Sequence, residues 1–190
     1  MAREYTHTPS RLTILWLYIS LPLVTWDFSY VFLRPHSMPG GVLHSPIWTP
    51  YALYGTVDHI YGLKAYEANN GFTAAQSALN VIETVMYFYY LLMYWNSGDG
   101  NGVVKGREAS KMVLVGYSAA IMTVSKTVLY WLNEYYSGFD NIGQNNLWRL
   151  VVLWIIPNGL WLVVPTFSMI LPLGREIVDG LALVPGTKSE

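Results

Sequence analysis

Apolar residues run in four long blocks, 12–33, 72–95, 112–135 and 147–173, each broken only by isolated polar positions. A bilayer core about 30 Å thick takes roughly 20 residues of helix, so each block predicts one transmembrane span. Tyr and Trp crowd the block ends, in YFYYLLMYW, in YWLNEYY and around Trp148, where such side chains settle at headgroup level. Between the second and third blocks lies NSGDGNG, and between the third and fourth SGFDNIGQNN. Both are turn formers without an apolar period, which predicts short connections between antiparallel helices. The stretch 34–71 is too long for plain loop in a compact domain. Its segment PIWTPYALYGTVDHIYGLKAY is amphipathic and aromatic, predicting one or two short helices over one mouth of the bundle. The fold class expected is all-α: a polytopic four-helix membrane bundle, with residues 1–190 forming one domain.

Composition supports this reading. Of 190 residues 53% are hydrophobic, 15% aromatic and 12% charged, against about 25% charged in soluble domains. A net charge of -1 offers no basic field to nucleic acid, which is excluded as a partner. With no cysteine there is neither a disulfide framework nor a thiolate zinc site. His7, His36, His44 and His59 sit in predicted loops without ligand spacing, so no metal is expected. No GxSxG, HExxH, P-loop or dinucleotide fingerprint occurs, and no cofactor is expected. The opening MAREYTHTPSR carries an acid and leads into a span too long for a signal-peptide core, so the first span is expected to be retained. Arg3, Arg11, Lys105, Arg107, Lys111, Arg175 and Lys188 fall on one face, and Arg34, Lys64 and Arg149 on the other. That bias places both termini in the cytosol and the loop 34–71 on the luminal side.

Three ionisable residues fall at membrane depth: Asp27, Glu83 and Lys126. Each costs at least about 2.5 kcal/mol to insert, which makes each a functional hypothesis. Gln76, Asn80, Glu83 and Tyr87 recur at spacings of four, three and four, which sets them on one inward stripe. Lys126, Tyr130 and Asn133 form a second stripe, and Trp154, Asn158, Trp161 and Pro165 a third. Polar stripes converging among aromatic rings predict a pocket rather than a packed apolar core. The bland alternatives are interhelical hydrogen-bond glue for Gln76 and Asn80 and a simple buried ion pair for Glu83 with Lys126. A lone pair would not account for Asp27.

TVLYWLNEYYSGF followed by PNGLWLVVP resembles the third and fourth helices of the EXPERA domain. In order along the chain, span one with its acid, IWTPYALYGTVD and IETVMYF extend the resemblance over nearly the whole sequence. That family includes the emopamil-binding protein, a sterol Δ8–Δ7 isomerase, and the sigma-2 receptor. The resemblance implies that Glu83 matches the family glutamate of the second helix, Asp27 the acid of the first, Asn158 and Trp161 the Asn and Trp of the last, and Asp58 a loop Asp near ligand. Leu23 stands where the isomerase has His, Met86 or Tyr87 where it has Thr, and Lys126 adjoins the position of its Asp, here Thr127. This altered acid/base set suggests a relative working on another hydrophobic substrate.

The expectation is a membrane-embedded acid/base isomerase or cyclase acting on a bulky sterol, terpenoid or polyketide-like substrate in the endoplasmic reticulum membrane. Glu83 would be the principal acid/base, Asp27 its partner and Lys126 a further catalytic group. Asp58, Gln76, Asn80, Tyr87, Tyr130, Trp154, Asn158 and Trp161 would line the substrate site. Expected partners are the hydrophobic substrate and the lipid bilayer, with a homodimer left open. The alternative is a non-enzymatic binder of sterol or lipid, like the sigma-2 receptor.

Overall fold

The computed structural model of the chain describes residues 4–182. Arg3 and Lys188, which enter the charge bias, lie outside the described residues. A short strand β1 (Thr6–His7) leads into helix α1 (Arg11–Phe32). The start of α1 is fixed by Ser10, whose hydroxyl accepts from the Thr13 backbone N–H at 3.0 Å. The loop after α1 carries two short helices, α2 (Pro50–Val57) and α3 (Leu63–Glu67). Pro50 at the start of α2 has no N–H to leave unpaired there. Helix α4 (Phe72–Ser97) follows, then strand β2 (Val104–Lys105), then α5 (Gly106–Tyr136). The last helix, α6 (Leu147–Ala182), is one continuous segment interrupted by π turns at Val151–Ile155 and Thr166–Ile170. Asn146 caps it by accepting from Arg149 N–H at 2.9 Å.

Among the described residues three helices are long and apolar enough to cross a membrane: α1, α5 and α6. Helix α4 has the length, with 26 residues, but Gln76, Asn80 and Glu83 keep it less apolar. Its Ile82, Val85 and Phe88 nevertheless stand exposed on the outside. In lateral order α1 packs on α4, α4 on α5, and α5 on α6.

Strand β1 pairs antiparallel with β2, Thr6 opposite Lys105. His7 reaches α6, its Nδ1 lying 2.8 Å from Glu176 Oε2. The N-terminal strand, the α4–α5 connection and the end of α6 therefore share one end of the molecule. At the other end the α1–α4 loop is stitched to the α5–α6 loop. Gln144 and Asn145 donate to the Val57 carbonyl at 3.1 and 2.6 Å, and His59 N–H donates to the Asn141 carbonyl at 3.0 Å.

The termini end is closely packed. Leu17, Tyr90, Met112, Ala119, Ala120 and Met169 are fully buried there, joined by Trp16, Leu91 and Leu173. Gly116 makes this possible, because a Cβ at that position would lie 2.7 Å from the Tyr90 ring.

Candidate functional site

Under the loop, the helices part around a cavity of about 580 Å³. Asp27 of α1, Gln76 and Asn80 of α4, Lys126 and Tyr130 of α5, and Asn158 and Trp161 of α6 are all on its wall. Tyr51, Tyr54 and Tyr61 roof it from the loop. Leu23, Leu53, Ile156 and Leu160 also line it and are exposed on the outer surface, so the cavity opens sideways through the apolar flank between α1 and α6. Helix α1 meets α6 mainly lower down, where Thr13 donates to the Ser168 carbonyl at 2.8 Å and Trp16 meets Trp161 edge-on at 5.1 Å.

Asp27 is half-buried and faces the cavity. Both its oxygens accept from tyrosines, Tyr51 at 2.5 Å and Tyr61 at 3.4 Å. Tyr51 in turn stacks on buried Tyr30, with ring centroids 3.7 Å apart and planes within 5°. This aromatic ladder fixes the acid at the mouth of the loop.

Glu83 is placed differently. It is buried behind Lys126, away from the cavity wall, in a cleft of about 10 Å³ shared with Trp16, Ser20, Thr84 and Thr123. Lys126 Nζ sits 3.0 Å from Glu83 Oε2 and also donates to Asn80 Oδ1. Thr123 donates to the same glutamate oxygen at 2.8 Å, and Tyr87 lies 3.0 Å from Thr123. Gln76 donates to the Lys126 carbonyl at 3.3 Å. Breaking a buried ion pair by removing one partner costs about 3–5 kcal/mol, because the other charge is then left bare.

Asp58 is wholly buried and ends α2. It accepts from Tyr130, from Trp154 Nε1 at 2.8 Å and from Ile60 N–H at 3.1 Å. Burial pushes its carboxyl up to about 6, against the Tyr130, Trp154 and Ile60 hydrogen bonds, which favour the charge. Asp58 thus fastens loop to helices and lies behind the roof; Trp154 lies with it, outside the cavity wall. Asn158 Nδ2 donates to the Trp154 carbonyl at 2.8 Å. Of the residues singled out in sequence, Asp27, Gln76, Asn80, Lys126, Tyr130, Asn158 and Trp161 meet at one cavity, whereas Glu83, Tyr87, Asp58 and Trp154 stand behind its wall.

Several polar side chains that build the site escape the sequence reading. Thr123 and Glu134 belong to the stripe of Lys126 and Tyr130 by three- and four-residue spacing, and that signal was present. The stripe runs on through buried Glu134 rather than half-buried Asn133. Glu134 accepts from Asn141 at 2.8 Å and ties α5 to the loop. The tyrosines beside Asp27 come from a distant segment, and no local spacing reveals them. Among the described residues no group of three or more His, Cys, Asp or Glu could hold a metal ion.

Fold and site together define a mostly helical protein with, among the described residues, three membrane-length apolar helices around a large lipophilic pocket that carries one acid and one lysine. Compared with known proteins, the chain matches no family model, no curated protein and no solved structure.

Proposed function

We propose that the protein is a membrane-embedded acid/base isomerase or cyclase acting on a bulky lipophilic substrate. The observation that carries this reading is Asp27 and Lys126 on the wall of a side-opening, aromatic-lined cavity of about 580 Å³. Ionisable groups so costly at membrane depth are kept where they act on something. A cavity of this size suits a rigid polycyclic or terpenoid body. Asp27 moves the proton, and Lys126 provides a positive pole. Glu83 acts as a positioning residue by holding the ammonium in place.

In this reading α4 is a fourth span and the four long helices form an EXPERA-like bundle, as the sequence resemblance implies. Both termini then face the cytosol from the endoplasmic reticulum membrane. The shared end of β1, β2 and the end of α6 supports a common side for the termini. A lipid binder without turnover is the competing reading.

The test is incubation of the purified protein in lipid nanodiscs, in deuterated water, with a panel of polycyclic and terpenoid alkenes. Double-bond shift or ring closure with deuterium uptake, reduced about 100- to 10,000-fold in Asp27→Asn, supports the enzyme. Tight binding with no deuterium uptake by any of the panel makes it a binder.

A further inference from the structure

Among the described residues, two hydrogen-bond donors on the cavity wall have no acceptor. The Lys126 ammonium carries three N–H groups. Glu83 and Asn80 take two of them, and among the described residues the third has no acceptor. An ammonium can only donate, so the Asn80 atom facing it is the carbonyl oxygen. The Asn80 amide nitrogen is therefore turned away, and it too has no acceptor among the described residues. Both residues line the cavity. Donors left unmet in an apolar site cost about 1–3 kcal/mol each, and a hydrocarbon would not relieve that. Asp27, on α1, is the acid on the same wall, and its two oxygens are held by Tyr51 and Tyr61.

We infer that the substrate is a neutral lipophilic ketone or aldehyde, its carbonyl oxygen held by Lys126 and Asn80 and its adjacent C–H presented to Asp27. This deepens the isomerase reading and rests on it. The Asp27 carboxylate removes a proton from the carbon next to the carbonyl. The C–H electron pair forms a C=C bond, and the carbonyl π pair moves onto oxygen, giving a dienolate whose charge Lys126 and Asn80 stabilise. The Asp27 carboxylic acid then returns the proton to the far end of the conjugated system, and the C=O bond re-forms. The net result is migration of a β,γ double bond into conjugation, with no co-reactant consumed. A donor aimed at charge that develops only in the transition state is worth about 100- to 1,000-fold. An anionic substrate fits less well, since it would set a second carboxylate against Asp27.

The experiment reads α-deuterium uptake in deuterated water by nanodisc-embedded protein, with two probes: a steroid-sized saturated ketone and an alkene of the same size without oxygen. Binding is followed by quenching of tryptophan fluorescence, since Trp26 and Trp161 line the cavity. Uptake into the ketone, reduced about 100-fold by Asn80→Leu and at least as far by the double variant Glu83→Gln/Lys126→Met, supports the inference. The double variant removes the ion pair as a unit, so neither charge is left buried alone. Deuterium uptake or double-bond shift in the alkene but not in the ketone overturns the carbonyl inference and leaves the isomerase reading standing. A ketone that binds without exchange, alongside an inert alkene, overturns both. Failure of the ketone to bind, or exchange indifferent to both variants, overturns the inference alone.

Discussion

The end of the molecule that holds β1 and β2 is packed solid, while the end under the loop is hollow, and the same long helices build both. Helix α5 shows why. Its inward positions toward the termini are Ala109, Met112, Val113, Gly116, Ala119 and Ala120, all buried, and Gly116 leaves the space that Tyr90 fills. From Thr123 onward the inward positions become Thr123, Lys126, Thr127, Tyr130 and Glu134, whose polar ends must be satisfied rather than merely packed. The Lys126–Glu83 ion pair and the tyrosine hydroxyls then fill the space between the helices. One half supplies rigidity and the other keeps a space open.

The largest expected effect belongs to the hollow half. Asp27→Asn should lower turnover about 100- to 10,000-fold with little change in melting, because Asp27 faces the cavity, Tyr51 can still donate to the amide oxygen, and the Tyr61 hydroxyl can turn to accept from the amide N–H. Initial rates and thermal melts of the same preparation check both parts.

The next effect lies at the border of the halves. Lys126→Met alone should cost about 3–5 kcal/mol of stability by stranding Glu83, and Glu83→Gln/Lys126→Met should recover most of it. Melting of the single and double variants in detergent measures the coupling. If the double variant is no more stable than the single, the pair is not what holds that border.

Within the solid half, Gly116→Val should destabilise by about 1–3 kcal/mol, since even a Cβ would press on the Tyr90 ring. Activity per folded molecule should be unchanged, because the cavity lies elsewhere. Reduced turnover at full folding would break the separation of the two halves.

A further effect concerns the roof. The Asp58 carboxyl is raised from 3.8 to about 6 in the folded protein, so folding favours its protonated form. That contribution is full below about pH 3.8 and is lost as pH rises through about 6. The melting temperature of the parent relative to Asp58→Asn should fall between about pH 4 and pH 7. A constant difference across that range would mean that the carboxyl is not destabilised by burial.

The long helices were legible because apolar runs and turn formers are local signals. Blocks 12–33 and 72–95 correspond to Arg11–Phe32 and Phe72–Ser97. Helix α6 runs nine residues past its apolar block, since Leu173 and Ile177 continue to pack inward and Glu176 reaches His7, while Arg175 and Asp179 turn to the surface. The stripe holding Gln76, Asn80 and Glu83 turns inward, but periodicity does not say which interior a residue enters. Asn80 lines the cavity and Glu83, less than one turn on, is sealed behind Lys126. The sequence around His7 predicts a loop, yet the residue lies in β1 and is buried between Glu176 and Tyr90. That pairing spans most of the chain, and no local pattern reveals it.

The division of labour between the two acids can be measured without knowing the substrate. The protein in native-like membranes is treated with a lipophilic carbodiimide, and the modified carboxyls are located by mass spectrometry. Reagent entering through the flank between α1 and α6 should modify Asp27 and leave Glu83 untouched, because Glu83 is walled off by Lys126, Thr123 and Trp16. Modification of Glu83 with Asp27 unmodified would contradict the assignment of Asp27 as the acid that serves the cavity.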